Sequence, residues 1–272
     1  MFRISKNLIE YRELIWALAW KNITLRYKQA YLGIAWAVLR PVMLVMIFTL
    51  VRAFVGIDSG DIPYPVLTFA ALMPWMLFQD ATSEGVASIV QNSNLIRKIY
   101  LPREVFPVTA VLTKLIEFAI TVAVLAGLMA YYKVVPTIQI LWAPLIVVYV
   151  VLAALSICFI GAAINVHFRD IGAAVPVALS LLMYASPVIY PLSLVKRKLL
   201  VEQIAGDWSN ILFTLYTANP LAGIIDSFQR VVLLGLPPDL PALIPGIVLT
   251  LIALPISYAL FKNAEAYFAD VV

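Results

Sequence analysis

The sequence predicts an all-α integral membrane protein with six transmembrane helices, an N-terminal interfacial amphipathic helix and a re-entrant helix pair before the last span. Of its 272 residues, 63% are hydrophobic and 12% are charged, against about 45–50% and about 25% in ordinary soluble domains. The mean hydropathy is +0.97. A soluble fold of this length has too little polar surface to cover so many apolar side chains. The composition therefore excludes a soluble protein and makes the bilayer its solvent.

Residues 1–30 are predicted to form a cytoplasmic helix that lies in the membrane interface. At 100° per residue, a narrow polar stripe faces an apolar sector, and Trp16 and Trp20 flank it. Such a pattern suits a helix with its indole rings at headgroup depth. A cytoplasmic helix packed on a partner is the alternative. The stripe contains Lys6, Glu10, Glu13 and Lys21, and the apolar sector contains Ile4, Leu8, Tyr11, Ile15 and Leu18.

Residues 31–272 are predicted to form the transmembrane domain. A helix needs about 20 apolar residues to cross a bilayer, and six segments qualify. The fourth and fifth are separated only by the polar stretch 167–170, which predicts a tight hairpin. The six spans lie at about 32–57, 64–88, 105–132, 138–166, 171–194 and 241–261.

The placement of lysine and arginine predicts that both termini are cytoplasmic. With that orientation, the cytoplasmic segments hold eleven of these residues and the outer segments hold six. Short cytoplasmic loops of membrane proteins generally carry more lysine and arginine than the outer loops do. The cluster formed by Lys196, Arg197 and Lys198 argues the other way.

The segment 208–235 is predicted to form two short helices in the outer leaflet rather than a seventh span. It is apolar but interrupted by Asp226, Arg230 and the Asn219-Pro220 pair. Proline breaks a helix, and a spanning helix would bury both charges. A spanning helix nevertheless remains the alternative, although it would leave the termini on opposite sides.

The sequence shows no motor and no catalytic centre. Cys158 is the single cysteine, which excludes a disulfide framework and a cysteine-based metal cluster. His167 is the single histidine, so a histidine-rich metal site or proton relay lacks a second imidazole. None of the eleven glycines precedes a lysine, so the chain has no P-loop. The net charge of +4 is too small to indicate nucleic acid binding.

Five motifs, in order along the chain, resemble those of bacterial polysaccharide-export ABC transporter permeases, which export O-antigen, capsule or teichoic acid polymers. Residues 26–41 (RYKQAYLGIAWAVLRP) resemble the start of that family's first span, and 94–104 (NLIRKIYLPRE) its loop after the second. In that loop Tyr-Leu-Pro stands where Phe-Pro is usual. Residues 165–171 are similar to its "N---RD" hairpin, 186–191 to its "SP--Y" element and 219–221 to its "NP" element.

The resemblance implies a homodimer of permeases with two copies of a separate ABC ATP-binding subunit. It implies no cofactor in this chain, and ATP and magnesium in the partner subunit. The loop 90–104 would be the coupling loop that docks on the ATPase, with apolar knobs and rim charges. A basic loop attracted to anionic lipid is the alternative. The coupling residues are Asn94, Leu95, Ile96, Arg97, Lys98, Ile99, Tyr100, Arg103 and Glu104.

The resemblance also implies export of a lipid-linked polysaccharide from the cytoplasm through a channel at the dimer interface, in the bacterial inner membrane. Helices 208–235 would form an outer gate with its hinge at Asn219 and Pro220. A permease for a drug or small lipid is the alternative within transport. A membrane-embedded transferase would need a catalytic constellation that the loops lack. Aromatic candidates for the channel lining are Tyr31, Trp36, Phe69, Trp75, Phe78, Tyr184 and Tyr190, and candidates for lipid-pyrophosphate contact are Arg3, Lys21, Arg26 and Lys28.

Overall fold

A computed structural model describes residues 10–28, 35–55, 62–98 and 101–271 of the chain. Over these ranges every regular element is a helix and no strand is present. The all-α fold class is therefore confirmed. Four of the predicted site residues, Arg3, Tyr31, Ile99 and Tyr100, lie outside the described residues.

Eleven α-helices and four short irregular turns of helix make up the described chain. The 3₁₀ segments are Ile138–Trp142 and Gly206–Trp208, and the π segments are Arg197–Val201 and Arg230–Leu234. The α-helices are α1 Arg12–Lys28, α2 Ala35–Val55, α3 Tyr64–Gln91, α4 Ser93–Ile96, α5 Val105–Tyr131, α6 Ala143–His167, α7 Asp170–Tyr184, α8 Leu192–Lys196, α9 Ser209–Ala218, α10 Pro220–Gln229 and α11 Leu240–Val271.

Helix α3 lies at the centre of the bundle. It packs against α2, α5, α6, α7 and α10, and most of its side chains between Val66 and Ile89 are buried. Close approach is possible because small residues face each other. A Cβ atom added to Gly85 would lie 2.2 Å from the Cys158 sulfur of α6, and one added to Gly161 would lie 2.5 Å from Val86. Small residues at such contacts are typical of helix packing in membranes.

The bundle has two ends, and both ends of the described chain lie at the same one. At the first, the loop end, Arg26 of α1 contacts Glu84 near the end of α3, and Lys262 of α11 contacts Glu104 just before α5. At the second, the hinge end, the α9–α10 junction packs beside the start of α11. If two ends of a chain lie on the same side of a membrane, the chain between them crosses that membrane an even number of times.

Three described helices are long and apolar enough to cross a membrane by themselves. They cover Val105–Tyr131, Ile138–His167 and Leu240–Phe268, and the pair Gly206–Ala218 and Pro220–Leu234, bent by 81°, gives up to four. Helix α7 has 15 residues and ends at Tyr184, ten residues before the predicted end of the fifth span. The early end has a local cause, since a proline at position 187 disfavours helix at Ser186.

Candidate functional site: the loop end, the exposed face and the hinge

The predicted coupling loop shows one exposed surface and one buried surface. Asn94, Arg97 and Lys98 are exposed and Leu95 is half-buried. Ile96 is 4% exposed and belongs to a buried cluster with Phe106 and the phenyl rings of α11. Within the described part of the loop, Leu95 is therefore the one apolar side chain of the predicted docking set that a partner can reach.

Arg103 and Glu104 are buried rather than placed at the rim of the loop. Arg103 is 7% exposed, and its Nη1 donates to the Leu101 carbonyl at 2.6 Å. Glu104 is fully buried. Its Oε2 accepts from Lys262 Nζ at 2.7 Å, and its Oε1 accepts from the Tyr258 hydroxyl at 3.5 Å. The Glu104 side chain faces α11 and the Arg103 side chain folds back on Leu101, so both hold the loop instead of presenting it.

A second carboxylate completes this contact, which we call the loop clamp, formed by Glu104, Lys262 and Glu265. The backbone N–H of Arg103 donates to Glu265 Oε1 at 2.9 Å, and Lys262 also pairs with Glu265. Sequence reasoning missed the loop clamp because its members are about 160 residues apart. The available signal was a Lys-Glu pair at i,i+3 spacing near the cytoplasmic end of the last predicted span.

A four-residue ionic network joins three helices at the loop end. The Arg26 guanidinium of α1 contacts Glu84 of α3, and its Nη1 donates to Glu117 of α5 at 3.0 Å. Lys114, 5% exposed, lies 2.9 Å from Glu84 and 2.8 Å from Glu117. Two cations thus meet two carboxylates. Of the predicted pyrophosphate contacts, Lys21 and Lys28 are exposed, whereas the charge of Arg26 is already balanced inside the chain.

The aromatic candidates for the channel lining divide into buried and exposed groups. Phe69, Trp75 and Phe78 are at most 2% exposed, and all three belong to the core around α3. Trp36 of α2 and Tyr184 of α7 are 49% and 63% exposed. In the single chain, the buried group is not available to a conduit outside the bundle, whereas Trp36 and Tyr184 are.

Polar side chains accompany the exposed aromatic residues on the surface of α2, α3 and α7. Arg40 Nη1 donates to both carboxylate oxygens of Asp80 at 3.0 and 2.9 Å. Gln79 donates to the Ser180 hydroxyl of α7 at 3.4 Å. The Arg40 and Asp80 side chains are 46% and 25% exposed. An accessible ion pair between two apolar helices favours a surface that faces water or protein, since lipid solvates charge poorly.

The hinge end brings two of the sequence motifs into direct contact. Asn219 caps α10 by accepting from the backbone N–H of Leu221 at 3.1 Å, as an N-cap residue does. Its amide nitrogen donates to the Ser186 hydroxyl at 2.9 Å. The hydroxyls of Tyr190, which is half-buried, and Tyr216 lie 3.3 Å apart. The "SP--Y" and "NP" elements thus form one joint, where α9 and α10 meet at 81°.

A third motif residue ties the predicted hairpin to the core. Asn165, 3% exposed, donates from its amide nitrogen to the Val86 carbonyl at 3.2 Å. Its amide oxygen accepts from the backbone N–H of Gly172 at 2.8 Å. One side chain therefore fixes the ends of α3, α6 and α7 relative to one another. Among the described residues, no group of histidine, cysteine and carboxylate side chains has the arrangement of a metal site.

Comparison with known proteins identifies the family. The model of the ABC-2 type transporter family matches residues 13–202. The chain belongs to the ABC-2 type transporter family. Among its curated relatives, O-antigen export system permease protein RfbA of Myxococcus xanthus is 27% identical over 271 residues, which cover 99% of both chains. Two Klebsiella pneumoniae proteins of the same description are 26% identical over 275 residues, again 99% of both chains.

These similarities confirm the resemblance predicted from the five motifs. Membership of the ABC-2 type transporter family, together with the long apolar helices, makes this chain a multi-pass membrane protein. The ABC-2 match covers α1, the central helices and the predicted coupling loop, and the full-length relatives extend it through the hinge and α11.

Proposed function

We propose that this chain is the transmembrane subunit of an ATP-driven ABC exporter that moves a lipid-linked polysaccharide out of the cytoplasm across the bacterial inner membrane. Full-length similarity to proteins described as O-antigen export permeases carries the proposal. The permease is proposed to act as a homodimer with two ATP-binding subunits, which supply ATP and magnesium.

Six helices are proposed to cross the bilayer, namely α2, α3, α5, α6, α7 and α11. Both ends of the described chain lie at the same end of the bundle. This supports an even number of membrane crossings, because each crossing takes the chain to the opposite side. The excess of lysine and arginine at that end supports a cytoplasmic position for it. The pair α9–α10 then enters the outer leaflet at the hinge end without crossing. Its 81° bend, rather than a straight axis, supports this arrangement.

The dimer interface and the conduit are proposed to lie along the exposed surface of α2 and α7. Trp36, Tyr184 and the Arg40–Asp80 pair line this surface. Aromatic faces suit the C–H faces of sugars, and a neutralised ion pair offers hydrogen bonds without a net charge. A second permease copy would shield the apolar remainder of α2 from lipid. That remainder includes Leu39, Met43, Met46, Ile47, Leu50, Val51 and Phe54, all exposed in the single chain.

Recognition of the lipid pyrophosphate is proposed for Lys21 and Lys28. Both are exposed on α1 at the loop end, at the depth where an anionic headgroup would lie. Arg26 is a weaker candidate than the sequence suggests, because two carboxylates already hold it. A role for Arg26 in fixing α1 to the bundle fits its contacts better.

A strain that lacks this protein tests the substrate class. We expect such a strain to accumulate lipid-linked glycan on the cytoplasmic side of the membrane, and we expect the purified chain to recruit an ATPase. Normal glycan export together with a drug-sensitive phenotype would instead favour the alternative, export of a drug or small lipid.

Docking of the ATPase is tested by substitutions on the exposed surface of the loop. Leu95→Asp and Lys98→Glu should abolish co-purification of the ATPase while the permease still inserts, because both side chains are accessible. Lys198→Glu, an exposed lysine at the hinge end, is the matched control and should retain the ATPase. Unchanged co-purification with Leu95→Asp and Lys98→Glu would contradict docking at this loop.

A further inference from the structure

Helix α11 contacts the predicted coupling loop at one end and the helix pair α9–α10 at the other. At the loop end, the loop clamp joins it to Glu104 and the backbone of Arg103. Buried apolar contacts accompany these polar ones. Phe261 and Phe268 of α11 are fully buried in the cluster that contains Ile96 and Phe106. The loop and the end of α11 therefore share both an ionic contact and an apolar core.

At the hinge end, the backbones of α10 and α11 are in direct contact. A Cβ atom added to Gly223 would lie 2.5 Å from the Ala242 carbonyl oxygen, and one added to Gly246 would lie 2.8 Å from the Pro220 Cα. The backbone N–H of Asp239 also donates to the Ser227 hydroxyl at 3.3 Å. With no side chain between them, α10 and the start of α11 have little room to move independently.

The two contacts are separated by about one bilayer thickness of continuous helix. From Ala242 to Lys262, a rise of about 1.5 Å per residue gives about 30 Å, which equals the thickness of the hydrocarbon core. Helix α11 runs through Pro245 and Pro255 without interruption. A displacement of the loop along this axis therefore reaches the α9–α10 junction through one element.

We propose that α11 is the mechanical link between the ATPase-docking loop and the outer helix pair, and that Glu104, Lys262 and Glu265 are positioning residues that transmit movement of the loop to α11. The proposal rests on the proposed function, since it assigns a path to the coupling of ATP hydrolysis and export. Glu104 is central because it is fully buried and is bound by two side chains of α11.

The test uses the reconstituted complex of permease and ATPase and measures docking, hydrolysis and export separately. Lys262→Met removes the cation between the two carboxylates while the exposed surface of the loop is unchanged. We expect the ATPase to co-purify and to hydrolyse ATP as in wild type. We expect glycan exported per ATP to fall about tenfold or more, within the range of ordinary coupling free energies. Lys262→Arg should restore coupling.

A distance measurement reports the movement directly. Spin labels at Leu215 of α9 and Tyr131 of α5, both well exposed, should change their separation on addition of ATP in wild type. They should not do so in Lys262→Met. Native Cys158 is fully buried and does not compete for label. The matched control is Lys198→Met, which removes an exposed lysine paired with Glu202 and should leave both export and the distance change intact.

Two results would overturn the link. One is unchanged export per ATP in a well-folded Lys262→Met complex. The other is loss of ATPase co-purification, because the clamp would then shape the docking surface rather than transmit its movement. If the Lys262→Met protein does not insert into the membrane, Glu265→Gln is tested with the same measurements of docking, hydrolysis and export. Its amide oxygen can still accept the hydrogen bond from the backbone N–H of Arg103. Failure of the wild-type chain to bind an ATPase would contradict the proposed function instead.

Discussion

At the scale of single residues, the contact between α3 and α6 depends on the absence of one side chain. The Cys158 sulfur lies only 2.2 Å from the position that a Cβ atom at residue 85 would take. The thiol donates to the Ala81 carbonyl at 3.5 Å. The sequence shows a lone cysteine and several glycines in apolar spans, but it does not show which of them meet. Such pairings depend on helix rotation, which composition and spacing leave open.

Gly85→Ala should destabilise the protein by about 1–3 kcal/mol, the usual cost of overpacking a core. Thermal unfolding of the purified protein in detergent measures the effect. Gly127→Ala is the matched control, since nothing lies within 4 Å of its added Cβ and alanine favours a helix by about 1 kcal/mol over glycine. A Gly85→Ala protein as stable as Gly127→Ala would contradict the tight contact, and Cys158→Ala should partly rescue Gly85→Ala.

At the scale of elements, breaks set by local chemistry were predictable and contacts between distant elements were not. The break at Asn219 and the short turn after α6 follow from neighbouring residues, and both are present. The pairing of Lys114 with Glu117 follows from their spacing, and it is present as well. Arg26 and Glu84, which also contact this pair, lie on two other helices. A single sequence gives no indication that these helices bring them to Lys114 and Glu117.

Lys114→Met should weaken the attachment of α1, because Glu84 and Glu117 would then share one cation. Removing one member of a buried ion pair typically costs about 3–5 kcal/mol. We expect a lower melting temperature in detergent and faster proteolysis at α1 than in wild type. Lys114→Arg keeps the charge and should behave nearly as wild type. Equal proteolysis of Lys114→Met and Lys114→Arg would count against the network as the attachment of α1.

At the scale of the whole molecule, the sequence offers candidate site residues but does not tell which of them the fold leaves exposed. Ile96 and Phe69 carry the residue types expected of a docking knob and a channel wall, yet both are buried within one chain. An apolar membrane helix has apolar residues on all sides, so its sequence does not distinguish the surface that faces lipid from the one that faces protein. The structure makes that distinction through contacts alone.

The orientation of the bundle is tested with Asn94→Cys and Val135→Cys, which place exposed thiols at the loop end and the hinge end. In intact cells, a membrane-impermeant thiol reagent should label Val135→Cys and should label Asn94→Cys only after permeabilisation. Wild-type protein should stay unlabelled because Cys158 is buried. The reverse labelling pattern would place the loop end outside.

The loop clamp can form only late in biogenesis. Glu104 emerges from the ribosome well before α11, which follows every other described helix along the chain. Until Lys262 arrives, the carboxylate of Glu104 lacks its cation, and the cluster around Ile96 lacks two phenyl rings of α11. The contacts that hold the loop against the bundle are therefore completed last. A chain truncated before α11 would keep the exposed Leu95 and Lys98 but would lack the lysine that pairs with the buried carboxylate of Glu104.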